Sequence, residues 1–144
     1  MRRGVLLHDI GKMGVPESIL LKPGTLTEEE WQFVVKHPAM AIQIFQDIPY
    51  LKDALDLVFS HHEHLDGGGY PDKLAADEIP AAARAFSIVD NWDVLRSDRP
   101  YSKAWTDDEA HSYLQEQAGK KFDPKMVTAF FEMLEAEPQR KSPK

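Results

Sequence analysis

Apolar positions along this chain recur at helical spacing, and no stretch of alternation competes convincingly as a strand. Val5, Leu6 and Leu7 run into His8-Asp9 as the last turns of a helix, with Gly11 as its expected C-cap. Residues 13 to 26, with Pro16, Pro23 and Gly24, read as a loop containing one short helical turn at 17 to 21. Thr27 and Glu30 make a capping box. It starts a helix through Trp31, Val34 and Val35 to His37, where Pro38 either kinks that helix or opens a new one. Ala41, Ile44, Phe45 and Ile48 continue an apolar face up to the break at Pro49. Leu51, Leu55, Val58 and His62 share one helical face, with Ala54, Leu57 and His61 on the adjoining stripe. Residues 65 to 79 are a Gly- and Asp-rich loop, and Pro80 suits the first position of a helix carrying Ala83, Phe86, Asp90 and Val94 along one side. After a polar connection over 96 to 105, Thr106 and Glu109 form a second capping box, with Gly119 as the C-cap. Asp123-Pro124 opens a last helix that buries Val127, Phe130, Phe131 and Leu134. The pattern predicts an all-α chain of about six helices, one domain over residues 1–136 and a disordered tail over 137–144.

Composition narrows the chemistry. The 144 residues are 42% apolar, enough for one hydrophobic core, and contain no cysteine. Any metal must therefore be held by imidazole and carboxylate, a ligand set that suits iron, manganese or zinc. A net charge of −7 argues against non-specific DNA binding. No apolar run approaches the roughly 18 residues of a membrane span, and no secretory signal opens the chain. The expected location is cytoplasmic.

Four short segments carry the candidate chemistry: His8-Asp9, His37, His61-His62 and Asp90. Asp90 follows Ala85-Phe86-Ser87-Ile88-Val89, so its carboxylate is expected to be buried, and a buried carboxylate needs a partner. Alone, Asp90 reads equally well as a hydrogen-bonded structural Asp, His37 has the reading of a core histidine at a proline, and for His61-His62 and His8-Asp9 the structural reading is the better one. Adjacent helical residues point about 100° apart, so His61 and His62 can address two metals, or one of them can face solvent. Together the segments offer side chains for borderline cations near helix ends, and helical bundles build metal sites from side chains on facing helices.

His8-Asp9-Ile10-Gly11-Lys12, Val15-Pro16, Lys22-Pro23-Gly24, His37-Pro38, His61-His62-Glu63, Asp66-Gly67-x-Gly69-Tyr70-Pro71, Ile79-Pro80 and Arg99-Pro100-Tyr101 closely resemble the motifs of the HD-GYP phosphohydrolases, over roughly residues 4 to 131. The resemblance implies an HD-like helical bundle with a GYP loop and a centre of two divalent metal ions, or three, most often iron or manganese. It implies hydrolysis of cyclic di-GMP to pGpG or GMP, with a metal-activated hydroxide as nucleophile. His8, Asp9, His37, His61, His62 and Asp90 are then the expected ligands, with Asp9 bridging. Lys12 reaches the scissile phosphate and shares the catalytic role with Asp9. Tyr70 lies at the mouth of the site, and Arg99 and Lys103 grip the substrate. Partners implied are the cyclic dinucleotide and a diguanylate cyclase docked through the GYP loop; separately, the apolar edge at Val5 to Leu7 is expected to need covering by a partner or a second copy of the chain.

Around these motifs, Glu63 and Asp66 either brace ligand histidines or cap the loop, the latter being the reading for Asp66. Gly67, Gly68 and Gly69 are expected to supply positive φ or close backbone approach. His64 and His111 are expected to be exposed and idle. The chain also departs from the family pattern. It starts seven residues before His8, where family members carry further helices and another histidine, so a truncated site and an uncovered apolar edge at Val5 to Leu7 are expected. Val94, Arg96 and Ser102 replace usual Ala, Thr or Ser, and Arg, and residues 74 to 77 lack the usual Gly. These departures keep open a rival reading, a catalytically weak or inactive module that binds cyclic di-GMP or a cyclase, beside a hydrolase of another nucleotide.

Overall fold

The computed structural model describes residues 1–98 and 103–136. Arg99 and the tail from residue 137 lie outside the described residues. The helices are α1 (Arg2–Leu7), α2 (Glu17–Leu20), α3 (Glu28–Val34), α4 (His37–Phe45), α5 (Lys52–Ser60), α6 (Ala81–Leu95), α7 (Asp107–Glu116) and α8 (Pro124–Ala136). Three 3-10 turns interleave with them at Ile10–Gly14, Pro49–Leu51 and Ala76–Glu78. The class is all-α, as expected, with more and shorter elements than the six read from periodicity, because the turns break what looks continuous in sequence.

Local signals explain most boundaries. Thr27 Oγ1 accepts from the Glu30 amide at 3.2 Å, while Glu30 accepts from the Thr27 amide at 2.7 Å, and Thr106 and Glu109 repeat the arrangement. Each such cap is worth about 1 kcal/mol to its helix. Pro38 does not kink a helix. It sits in the first turn of α4, where its missing N–H costs nothing. Pro80 is the N-cap residue of α6, one position earlier than expected. Gly11 is not the C-cap of α1, which ends at His8. It is buried inside the first 3-10 turn. A Cβ there would lie 1.8 Å from the His37 carbonyl oxygen, so only glycine lets this turn press against the start of α4.

α5 is the organising element, packing against α1, α4 and α6. Its buried stripe is Ala54, Leu57 and Val58. Ala41 and Phe45 of α4 and Ala83 and Phe86 of α6 are also buried, and α4 covers the first 3-10 turn. Gly4 lets α1 approach α5 closely, with Leu57 and the Ala54 carbonyl about where a Cβ would reach. Val5 and Leu6 remain exposed on the outer side of α1, Leu6 at 83%. A second core joins α6 to α7 and α8 through Ile88, Leu114, Phe122, Val127 and Phe130, with Trp92 and Phe131 packed on it. No helix among the described residues is long and apolar enough to cross a membrane.

Candidate metal centre

Four separated segments converge where α5 meets α4 and the first 3-10 turn. His8 ends α1, and Asp9 follows as the N-cap residue of the turn. His37 is the first residue of α4, and His61 caps the C-terminus of α5. One ligand-type atom each from Asp9, His37, His61 and His62 lies within 4.8 Å of all the others. The two neighbouring histidines do not diverge by a helical step. α5 has ended at Ser60, and in the turn beyond it the His61 and His62 rings come to 4.0 Å between centroids.

One local device recurs three times. The Nδ1 of His8, His37 and His61 lies 2.7, 2.7 and 2.8 Å from the carbonyl oxygen three residues earlier, of Val5, Val34 and Val58. A carbonyl only accepts, so each Nδ1 carries the proton and donates it. For His37 and His61 this leaves Nε2 with a lone pair, its ring orientation fixed by the bond on the other nitrogen, whereas His8 Nε2 faces the Asp9 and Asp90 carboxylates. His37 Nε2, His61 Nε2 and Asp9 Oδ1 are buried and have no hydrogen-bond partner among the described residues. A buried polar atom without a partner costs about 1–3 kcal/mol. Three of them converging is poor design for a sealed core and a good fit for a cation. Nitrogen and carboxylate donors without thiolate suit a borderline divalent ion.

Asp9 faces two ways. Its Oδ1 lies 3.4 Å from His37 Nε2, and its Oδ2 lies 3.4 Å from His8 Nε2 and 2.7 Å from Lys12 Nζ. His8 Nε2 in turn lies 3.6 Å from Asp90 Oδ1. Five of the six expected ligands thus surround Asp9 or each other directly, and Asp90 joins through His8. Asp90 is only half-buried and lines the adjacent cavity, more open than its apolar flanks suggested.

The electrostatics keep Asp9, His37, His61 and His62 available, while for His8 burial is outweighed by the bonds to Asp9 and Val5, which raise it. Burial raises the Asp9 carboxyl, but hydrogen bonds to His8 and Lys12 outweigh it and hold the group well below the usual carboxylate range. Burial pushes His61 down to about 4, with the charges of His8 and His37 adding to it. His62 and His37 are also lowered, first by burial. Neutral imidazole is the form that binds metal.

A cavity of about 900 Å³ opens onto this centre, lined by Asp9, Lys12, His61, His62, Tyr70 and Asp90 among others. Tyr70 stacks on His62 at 4.7 Å, with Trp31 edge-on to Tyr70 at 5.8 Å. Burial raises the Tyr70 phenol, and the Asp9 and Asp90 charges add to it, so it stays a donor.

A family model described as HD domain matches residues 1–126. The chain belongs to the HD-domain family. Its Gly69-Tyr70-Pro71 loop sets it in the HD-GYP branch. It is 42% identical over 125 residues to the cyclic di-GMP phosphodiesterase response regulator RpfG of Xanthomonas campestris, covering 85% of this chain and 33% of that protein. It is 38% identical over 128 residues to the 3'3'-cGAMP-specific phosphodiesterase 2 of Vibrio cholerae, covering 88% of this chain and 24% of that one. The HD chain therefore spans only about a quarter to a third of these relatives. Among solved structures it resembles Bd1817, a HDG"Y"P protein from Bdellovibrio bacteriovorus. The TM-score is 0.71 at 21% identity, over 92% of this chain and 42% of that one, a likeness of fold.

The HD-GYP loop itself is held from within. Glu63 is buried, and its carboxylate accepts from the Asp72 amide at 2.7 Å and the Leu74 amide at 3.1 Å. It braces the loop rather than a histidine. Asp66 accepts from the Gly68 amide at 2.8 Å, a local turn bond. Gly67 takes φ +78°, and Gly69 lies so close to the His62–His64 backbone that a Cβ would reach the His64 nitrogen at 2.3 Å. Lys103 is exposed and outside the cavity lining among the described residues. His64 and His111 are not exposed. His64 lines the cavity, and the His111 ring lies 4.0 Å from Phe131. Sequence reasoning missed Trp31, Lys36, Lys73 and Lys121 on the cavity wall. Only Trp31 carried a signal, an exposed-size aromatic one turn into a capped helix beside His37.

Proposed function

We propose that this HD-GYP domain is a metal-dependent phosphodiesterase that opens a cyclic purine dinucleotide, with cyclic di-GMP as substrate and pGpG or GMP as product. The observation that carries this reading is the set of buried imidazoles, each anchored at Nδ1, whose unpartnered Nε2 atoms converge with Asp9. His37, His61, His62 and Asp9 would hold one divalent cation, iron or manganese. His8 and Asp90 would hold a second, with Asp9 contributing to both. Bound there, such ions supply Lewis acidity toward phosphoryl oxygens and lower the pKa of water.

The chain's own groups supply the rest. Lys12, fixed against Asp9, places positive charge at the cavity floor, where negative charge builds up on a phosphodiester under attack. Tyr70 keeps its proton and offers a hydrogen-bond donor from the wall. The cavity falls within the roughly 300–1,000 Å³ range of small-molecule sites. Relatives named for cyclic di-GMP and for 3'3'-cGAMP support a cyclic purine dinucleotide as the ligand class.

The test is hydrolysis of cyclic di-GMP by the chain loaded anaerobically with iron(II) or manganese(II), with products separated by chromatography. The reading expects metal-dependent pGpG or GMP, and loss of both bound metal and product in Asp9→Ala. Tight binding of the dinucleotide by a folded, metal-loaded chain without product would replace this reading with that of a non-hydrolytic binding module.

A further inference from the structure

The cavity at the metal centre is lined by four lysines, Lys12, Lys36, Lys73 and Lys121, in a chain whose net charge is −7. Lys12 is committed to Asp9. None of the other three forms an ion pair among the described residues. The carboxylates of the same cavity are engaged elsewhere. Asp9 and Asp90 lie at the histidine cluster, and Glu63 is turned onto the loop amides. On the GYP-loop side the lining thus carries Lys73 and Lys121 with no lining carboxylate paired to either among the described residues.

Two of these lysines are held by the fold. Lys121 Nζ donates to the Tyr113 hydroxyl at 2.9 Å, and the Lys121 carbonyl accepts from the Leu65 amide at 3.1 Å, at the base of the loop. Lys73 lies between Asp72 and Leu74, whose amides are pinned to Glu63, and its φ is +56°. An L residue occupies that left-handed region at a cost that glycine escapes. Strain of this kind, on a backbone held from both sides, points to a use for the side chain. Ala76 shows the contrast. It too has positive φ, at +47°, but it lies outside the cavity lining and carries no functional group.

We propose that Lys73 and Lys121 form a second anion subsite in this cavity, which takes the phosphodiester of the dinucleotide remote from the metal centre. Lys73 then sets a preference for substrates with two phosphodiesters over substrates with one. The proposal rests on the phosphodiesterase reading above and adds the means of selecting a dinucleotide.

The test compares KM for cyclic di-GMP with KM for bis(p-nitrophenyl) phosphate, a single diester, in the metal-loaded chain and in Lys73→Gly, Lys73→Arg, Lys121→Met and Ala76→Gly. Lys73→Gly is expected to raise the dinucleotide KM about tenfold more than that of the single diester, the loss of one charge-assisted contact. Its melting temperature should rise, so misfolding does not explain the loss. Lys73→Arg should keep the preference, Lys121→Met should weaken it, and Ala76→Gly should gain stability without touching it. Equal changes for both substrates, or none, overturn the subsite. If the wild type turns over no cyclic di-GMP, the phosphodiesterase reading falls, and calorimetric binding of the dinucleotide decides the subsite alone. Binding weakened tenfold or more by Lys73→Gly would support it; unchanged binding by that variant, or no binding by the wild type, would overturn it.

Discussion

Three imidazoles in this chain are oriented by the same local bond, Nδ1 to the carbonyl three residues back. That bond needs only a helical turn before the histidine, so it was available to the sequence, although composition alone could not say that the freed Nε2 atoms would meet. What brings Asp9 to one of them is a residue with no side chain. Gly11 lets the turn that carries Asp9 press onto the first residue of α4, with no room for a methyl group before the His37 carbonyl. Gly11→Ala must move backbone rather than a flexible side-chain tip. It should destabilise the chain by at least about 1–3 kcal/mol and separate Asp9 from His37. Thermal unfolding and bound-metal content check both parts, and a variant that melts like the wild type with full metal content would refute the close-packing argument. The glycine was legible as special, but its expected role, a helix cap, was wrong. A contact with a residue 26 positions away leaves no local trace.

Among the elements, the helices were the legible part, because capping boxes and proline positions are written within four residues of where they act. Pro38 left two readings open in sequence, and the structure resolves them as a helix start. The GYP loop was legible as a loop with an Asp66 turn bond and tight glycines, while Glu63 kept two readings, a brace for a histidine or a cap for the loop. Its anchor is Glu63, whose partners lie nine and eleven residues away on irregular backbone, where periodicity carries no information. Burial raises the Glu63 carboxyl, and the amides of Asp72 and Leu74 pull against it. Glu63→Gln replaces one acceptor oxygen with a donor facing an amide N–H, at a cost of about 1–3 kcal/mol. The cost should fall on the loop and spare the helices. Amide exchange at Asp72 and Leu74 should quicken while circular dichroism stays unchanged; undisturbed exchange there would remove Glu63 as the anchor. A loosened loop would also carry Tyr70 and Lys73 away from the cavity wall.

At the scale of the whole molecule, the chain carries two packed regions, one around α5 and one joining α6 to α7 and α8, with the histidine cluster at the edge of the first. The cluster draws on residues 8, 9, 37, 61 and 62, so its assembly depends on α1, α4, α5 and the first turn all being in place. The converse also holds. Asp9 Oδ1, His37 Nε2 and His61 Nε2 are buried with no hydrogen-bond partner among the described residues, and each such atom opposes the fold by about 1–3 kcal/mol. A cation that binds the folded cluster and not the unfolded chain removes that cost and stabilises by mass action, about 4 kcal/mol at a thousandfold excess over Kd. For a domain of this size, that corresponds to a rise of roughly 10 °C in melting temperature. Manganese(II) should therefore raise the melting temperature of the wild type in a concentration-dependent way, chelator should reverse the rise, and Asp9→Ala should flatten it. The same titration separates a structural histidine cluster from a metal centre without any substrate. If the melting temperature ignores the metal while the chain remains folded, the converging Nε2 atoms have some other partner and the centre is not one.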